Sequence, residues 1–189
     1  MRPILPALAL AALATPAAAH LPPGTYGSFA AGVSHPLWGL DHILAMVAVG
    51  LWASLQGGRA LWSVPAAFLG AMVAGFALAL LAVPLPAVEP MILASTIVLG
   101  LAVAAALRMN LAAAAALVAA FGLFHGHAHG GELGEAGALR FGLGFVLATA
   151  ALHAVGVGLG VAVARLGSLA VARGLGAVTA LAGPGLAVG

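Results

Sequence analysis

His35-Pro36-Leu37-Trp38-Gly39-Leu40-Asp41-His42 opens an apolar run that continues from Ile43 to Leu55 and stops at Gln56-Gly57-Gly58-Arg59. The run has the length of a membrane crossing, about 20 residues at about 1.5 Å of rise each. Its opening residues have no cheap place in lipid. An Asp at the centre of a membrane helix costs about 2.5 to 3.5 kcal/mol on insertion scales, so an ionisable group inside such a run marks a site or an ion path. A second polar stretch, Phe124-His125-Gly126-His127-Ala128-His129-Gly130-Gly131-Glu132, ends another apolar run far along the chain.

The rest of the chain has the same character. Of 189 residues, 64% are hydrophobic and 5% charged, with the apolar residues in long runs instead of the short alternations of a soluble core. Besides residues 36–55, the stretches at about 60–83, 90–107, 111 into the second His cluster, 138–164 and 169–188 are long enough to span. The fold class predicted is an all-α membrane protein, a six-helix transmembrane bundle. Its sixth span is the weakest, because Gly174, Gly176, Gly183, Pro184 and Gly185 disfavour a regular helix. The spacings Gly122 to Gly126 and Gly156 to Gly160 suit close helix approach beside a His in each case.

Residues 1–19 read as a cleaved signal peptide: Arg2, then an apolar core from Ile4 to Ala14, then Ala17-Ala18-Ala19 before His20. The mature domain, 20–189, then starts outside the cytoplasm. Six spans place Arg59, Arg108, Arg165 and Arg173 inside, and Glu89, Glu132 and Glu135 outside, with Arg140 the exception. This bias is the one the positive-inside rule asks for. It also puts both His clusters at the outer face.

The pI near 10.6 reflects six Arg without Lys and a net charge of only +2, so it carries no nucleic-acid meaning. There is no Cys, which excludes disulfides, thiolate metal sites and cysteine nucleophiles. A metal must be held by imidazole, carboxylate, thioether or backbone oxygen. Such ligands suit nickel, cobalt or zinc better than copper(I).

On a continuous helix His35 and His42 lie within about 20° of each other, with Met46 a further turn along and Asp41 about 100° away. Asp41 then has two roles open to it, as a ligand shared with another helix or as the group that orients an imidazole. Pro36 suits the first helical position, with His35 as the cap at the water boundary. In the second cluster His125 and His129 share a face if the helix persists, while His127 points elsewhere. Gly126, Gly130 and Gly131 predict an irregular end that would let Glu132 and several imidazoles turn toward one ion. His153 stands alone in the fifth span, either a packing residue or an inner relay. The bland reading of the first cluster is a solvated interfacial turn anchored by Trp38. Glu135 and Glu89 read as loop acids, and Met46 more readily as packing than as ligand.

The stretch from His35 to Ala53, with His125 to Glu132, resembles the HupE/UreJ family of bacterial inner-membrane nickel or cobalt permeases, and the resemblance extends over the whole chain. Five residues separate His35 from Asp41, whereas the larger nickel/cobalt transporters have four. The resemblance implies that His35, Asp41 and His42 carry metal selectivity and transport, with His125, His129 and Glu132 as the second motif. It implies secondary transport of Ni²⁺ or Co²⁺ from periplasm to cytoplasm for hydrogenase or urease maturation. The metal is then cargo, with no prosthetic group, no catalysis and no nucleic acid. The lipid bilayer is the surrounding partner, and a homo-oligomer or a metal-binding accessory protein is left open. No nucleotide-binding motif appears. Two other readings are weighed: a non-transporting metal sensor or scaffold, and an intramembrane zinc hydrolase. The second lacks HExxH, whose spacing His129-Gly130-Gly131-Glu132 does not reproduce.

Overall fold

The computed structural model describes residues 28–131 and 137–186, with side chains of the last helix described as far as Gly183. The predicted signal peptide, His20, Glu132 and Glu135 lie outside these residues. All regular structure described is helical: α1 (Ser28–Trp38), α2 (Leu40–Gln56), α3 (Ala60–Leu80), α4 (Val88–Ala104), α5 (Leu111–Gly131), α6 (Ala138–Arg165) and α7 (Leu169–Leu186).

Among the described residues, α3, α5 and α6 are long and apolar enough to cross a membrane alone, and α1 with α2 makes a fourth if the bent pair is one span. At 17 residues α4 is about 25 Å long, short of the roughly 30 Å hydrocarbon core. Left-handed backbone at Ala87 (φ 60°) and Ala106 (φ 49°) ends it on both sides. Outward-facing Trp62, Leu81, Leu139, Leu147 and Leu181 are well exposed. A chain this apolar on its outside is a membrane protein, since water would not tolerate so continuous a surface.

The helices pack chiefly as α3 on α5, α4 on α7, α2 on α6 and α1 on α6. Small residues sit at each crossing. A side chain on Gly122 would run into the Phe68 carbonyl, and one on Gly126 into that of Met72. Gly50 of α2 and Gly156 of α6 meet backbone to backbone, and Gly160 is filled by Ser54. Both glycine spacings read from the sequence therefore do mark close approach, which in lipid replaces the missing hydrophobic drive with direct van der Waals contact. The same effect explains why α7 is helical despite its glycines. Gly176 lies against Gly100 and Ala104 of α4, so the packing gain offsets poor propensity. Trp52, Val49, Phe68, Met72 and Leu99 fill the centre, and Trp52 Nε1 donates to the Leu107 carbonyl at 2.8 Å.

Two local expectations are corrected. Residues 36–55 are not one helix, because α1 and α2 meet at Gly39 with an 83° bend. Pro36 lies inside α1 instead of opening a helix. The cause is at Gly39, whose backbone is extended (φ −91°, ψ 113°). The second His cluster, in turn, is not an irregular end. Helix α5 continues through Gly131, because Gly126 and Gly130 are used for contact with α3, at Met72 and at Phe76 and Ala79.

Candidate metal centre

The break at Gly39 is what assembles the site. Helix α2 starts just after it, so Asp41 and His42 occupy its first turn. Asp41 Oδ1 accepts two bonds from His42, one from the backbone N–H and one from Nδ1, both at 2.9 Å. An ionised carboxylate can only accept, so the proton is on Nδ1 and the lone pair on Nε2. His42 Nε2 is buried with no protein partner. Asp41 is thus hydrogen-bonded to the His42 ring, the contact that its orienting role would need. A side chain at position 39 would come within 2.8 Å of both Asp41 Oδ1 and His42 Nδ1. Gly39→Ala is therefore expected to push this pair apart, and any divalent-cation binding through His42 to weaken about tenfold, the low end of losses for outer-shell changes. Calorimetric titration of the purified protein would measure it.

The persistence of α5 presents His125 and His129 on one buried face, four residues apart. Both rings meet His42, with centroids 4.9 Å away for His125 and 4.6 Å for His129. One nitrogen from each of His42, His125 and His129 lies within 4.8 Å of the others. An ion at the centre of a triangle of that side would sit about 2.8 Å from each nitrogen, and imidazole bonds to such metals are about 2.0 to 2.1 Å. Rotations of well under 1 Å at each ring would close the difference. His125 Nδ1 is, like His42 Nε2, buried without a protein partner. An orphaned polar atom in an apolar bundle costs roughly 2 to 7 kcal/mol, so two such nitrogens on rings that meet fit a cation.

His35 reaches the same place by a different route from the helical stripe expected. It sits near the end of α1, and its ring is 4.6 Å from that of His129 and 5.7 Å from Phe141. Phe145 covers the other flank of His129 at 4.3 Å. His127 is on the far side of α5, with Nε2 at 2.8 Å from the Val83 carbonyl, and takes no part in the cluster. Met46 is fully buried in the core. His153 is buried on α6, one turn from Thr149, and neither ring nitrogen has a hydrogen-bond partner. The Phe68 ring touches both His125 and His153, at 5.5 and 5.1 Å.

One contact is absent from the sequence expectations. Ser95 of α4 is fully buried and lies 2.9 Å from His125 Nε2. Serine in a helix ordinarily satisfies itself on a carbonyl one turn back, so it draws no attention in an apolar run. The available signal was the pair Ser95-Thr96, two adjacent hydroxyls in the part of α4 that is otherwise apolar after Glu89.

With this geometry in hand, comparison with known proteins is decisive at the level of family. The family model described as "HupE / UreJ protein" matches residues 8–186. The chain belongs to the HupE/UreJ family. Protein HupE of Rhizobium leguminosarum bv. viciae is 45% identical over 182 residues, which cover 95% of each chain. No solved structure matches. In this HupE/UreJ protein the two polar stretches of the sequence, separated by more than eighty residues, meet as one imidazole cluster between α2 and α5.

Proposed function

We propose that this HupE/UreJ protein is a secondary permease that carries Ni²⁺, or Co²⁺, across the bacterial inner membrane into the cytoplasm, for hydrogenase or urease maturation. The observation that carries the reading is the convergence of His42, His125 and His129 within 4.8 Å at the end of an apolar bundle. Three imidazoles without a thiolate bind a borderline divalent ion and leave other coordination positions to water. That combination favours entry and still permits release, as permeation requires.

In this reading α2 to α7 are the six crossings. Arg108 donates to the Gln56 carbonyl at 3.2 Å, and Arg173 to the Ala104 carbonyl at 2.8 Å. Arg59 caps the start of α3 in the short turn after α2, so these arginines gather at the end opposite the His cluster. With that end cytoplasmic, the cluster faces the periplasm. His35 is the outermost ligand, Asp41 the orienting carboxylate and His153 an inner step beyond Phe68, and Glu132 is a further ligand by the family resemblance alone.

The test is radioactive nickel flux into vesicles holding the purified protein, with cobalt as competitor. Saturable uptake that cobalt inhibits is expected; saturable binding without flux would overturn the permease reading in favour of a sensor. Imidazole must be neutral to bind, so protons compete with the metal and uptake is expected to fall, never to rise, as the outer side is acidified. A profile that rises on acidification would mean that neutral imidazole is not limiting.

A further inference from the structure

Ser95 does more than pack. Its Oγ lies 2.6 Å from the Ile92 carbonyl oxygen one turn earlier on α4 and 2.9 Å from His125 Nε2. Two oxygens at 2.6 Å repel unless a proton lies between them, and a carbonyl has none to give. The single hydroxyl proton of Ser95 is therefore committed to Ile92. Toward His125 the hydroxyl oxygen can only accept.

We infer that Ser95 is a positioning residue that fixes the tautomer of His125. Nε2 carries the proton and donates it to Ser95, and Nδ1 keeps the lone pair. Nδ1 is the ring atom that is buried without a partner, so the atom left free by this hydrogen bond is the one chemically able to hold a cation. His42 is set in the opposite sense by Asp41, with Nδ1 protonated and Nε2 free. The cluster thus offers one Nε2 and one Nδ1, each made available by a partner on the opposite side of its ring. Outer partners of this kind set ring orientation and ligand basicity in metal sites generally.

The assignment also gives α4 a role in the site, although it contributes none of the three imidazoles. Asp41 brings a full charge to His42, whereas Ser95 brings only a neutral acceptor to His125. A neutral acceptor leaves the imidazole a weaker donor to the metal, which suits an ion that must leave again.

The consequence for affinity rests on the reading of the cluster as an ion site, while the tautomer does not. The two are therefore measured separately. Nitrogen NMR of ¹⁵N-histidine-labelled protein, freed of metal at about pH 8 where imidazole is neutral, reports which ring nitrogen is protonated, with His125→Gln used to assign the signal. In the wild type His125 is expected as the Nε2–H form. In Ser95→Ala that preference is expected to relax toward a mixture, with Ni²⁺ affinity lowered about 10- to 100-fold. Ser95→Thr, which keeps the hydroxyl, is expected to retain the Nε2–H form and most of the affinity. A wild-type His125 protonated on Nδ1 would overturn the inference, and that spectrum needs no variant to fold. So would a Ser95→Ala protein with unchanged tautomer and affinity. Wild type in the Nε2–H form that binds no Ni²⁺ would support the tautomer assignment and defeat the permease reading.

Discussion

His42→Ala is expected to lower Ni²⁺ affinity by more than about 100-fold, beyond the 10- to 100-fold typical of losing an outer-shell partner, and to abolish saturable flux. The ring of His42 is the only one of the three that comes from α2, and it contacts both His125 and His129. Removing it leaves two imidazoles on a single helix face and strands the Asp41 carboxylate without the Nδ1–H that it holds at 2.9 Å. Asp41→Asn is expected to be milder, a loss of about 10- to 100-fold, because the ligand remains and only its orientation and basicity suffer. His127→Ala is the contrast, with binding and flux expected to stay within about twofold, since its hydrogen bond goes to the Val83 carbonyl away from the cluster. Titration and vesicle flux at matched insertion would measure all three. If His127→Ala proved as damaging as His42→Ala, the arrangement of α5 described above would be wrong.

Gly126→Ala is expected to cost at least the 1 to 3 kcal/mol, roughly, of an overpacked core, with a corresponding fall in thermal unfolding temperature in detergent. The added methyl would meet the Met72 carbonyl carbon and oxygen of α3, which are backbone atoms and cannot rotate aside. Relief requires α3 and α5 to separate along the most extensive helix contact in the molecule. His125 is the neighbour of Gly126 in α5, so metal affinity should fall together with stability. Gly70→Ala in α3 serves as the control. Nothing lies within 4 Å of a methyl there, and the substitution should be neutral or stabilise by up to about 1 kcal/mol through helix propensity. Equal behaviour of the two variants would mean that glycine matters at Gly126 for a reason other than packing.

The residues that meet in the cluster were legible in the sequence, and their arrangement was not. His42, His125 and His129 stand out in the sequence because ionisable groups in apolar runs are conspicuous. Asp41 stands out equally, but the choice between ligand and orienting group depends on a side-chain rotamer. The expected stripe of His35, His42 and Met46 fails because a periodicity argument assumes an unbroken helix, and Gly39 breaks it. His35 still reaches the cluster, at His129, because the 83° bend carries α1 across to α6 and the C-terminal end of α5. Ser95 was invisible for the opposite reason. A hydroxyl can satisfy itself locally, so its value depends on what stands beside it.

By itself the sequence determined that this is an all-helical membrane protein of the HupE/UreJ type, where its apolar segments run, and which few polar residues they carry. Those properties are local: hydropathy, segment length and the cost of a charge in lipid act on each stretch independently of the others. Only the tertiary structure decided that α2 and α5 bring their imidazoles to one point, and that Asp41 and Ser95 hold the rings of His42 and His125 from behind. Those properties come from contacts between residues distant in sequence, set by glycine-mediated helix crossings and one bend, and no local pattern encodes where two distant helices will touch.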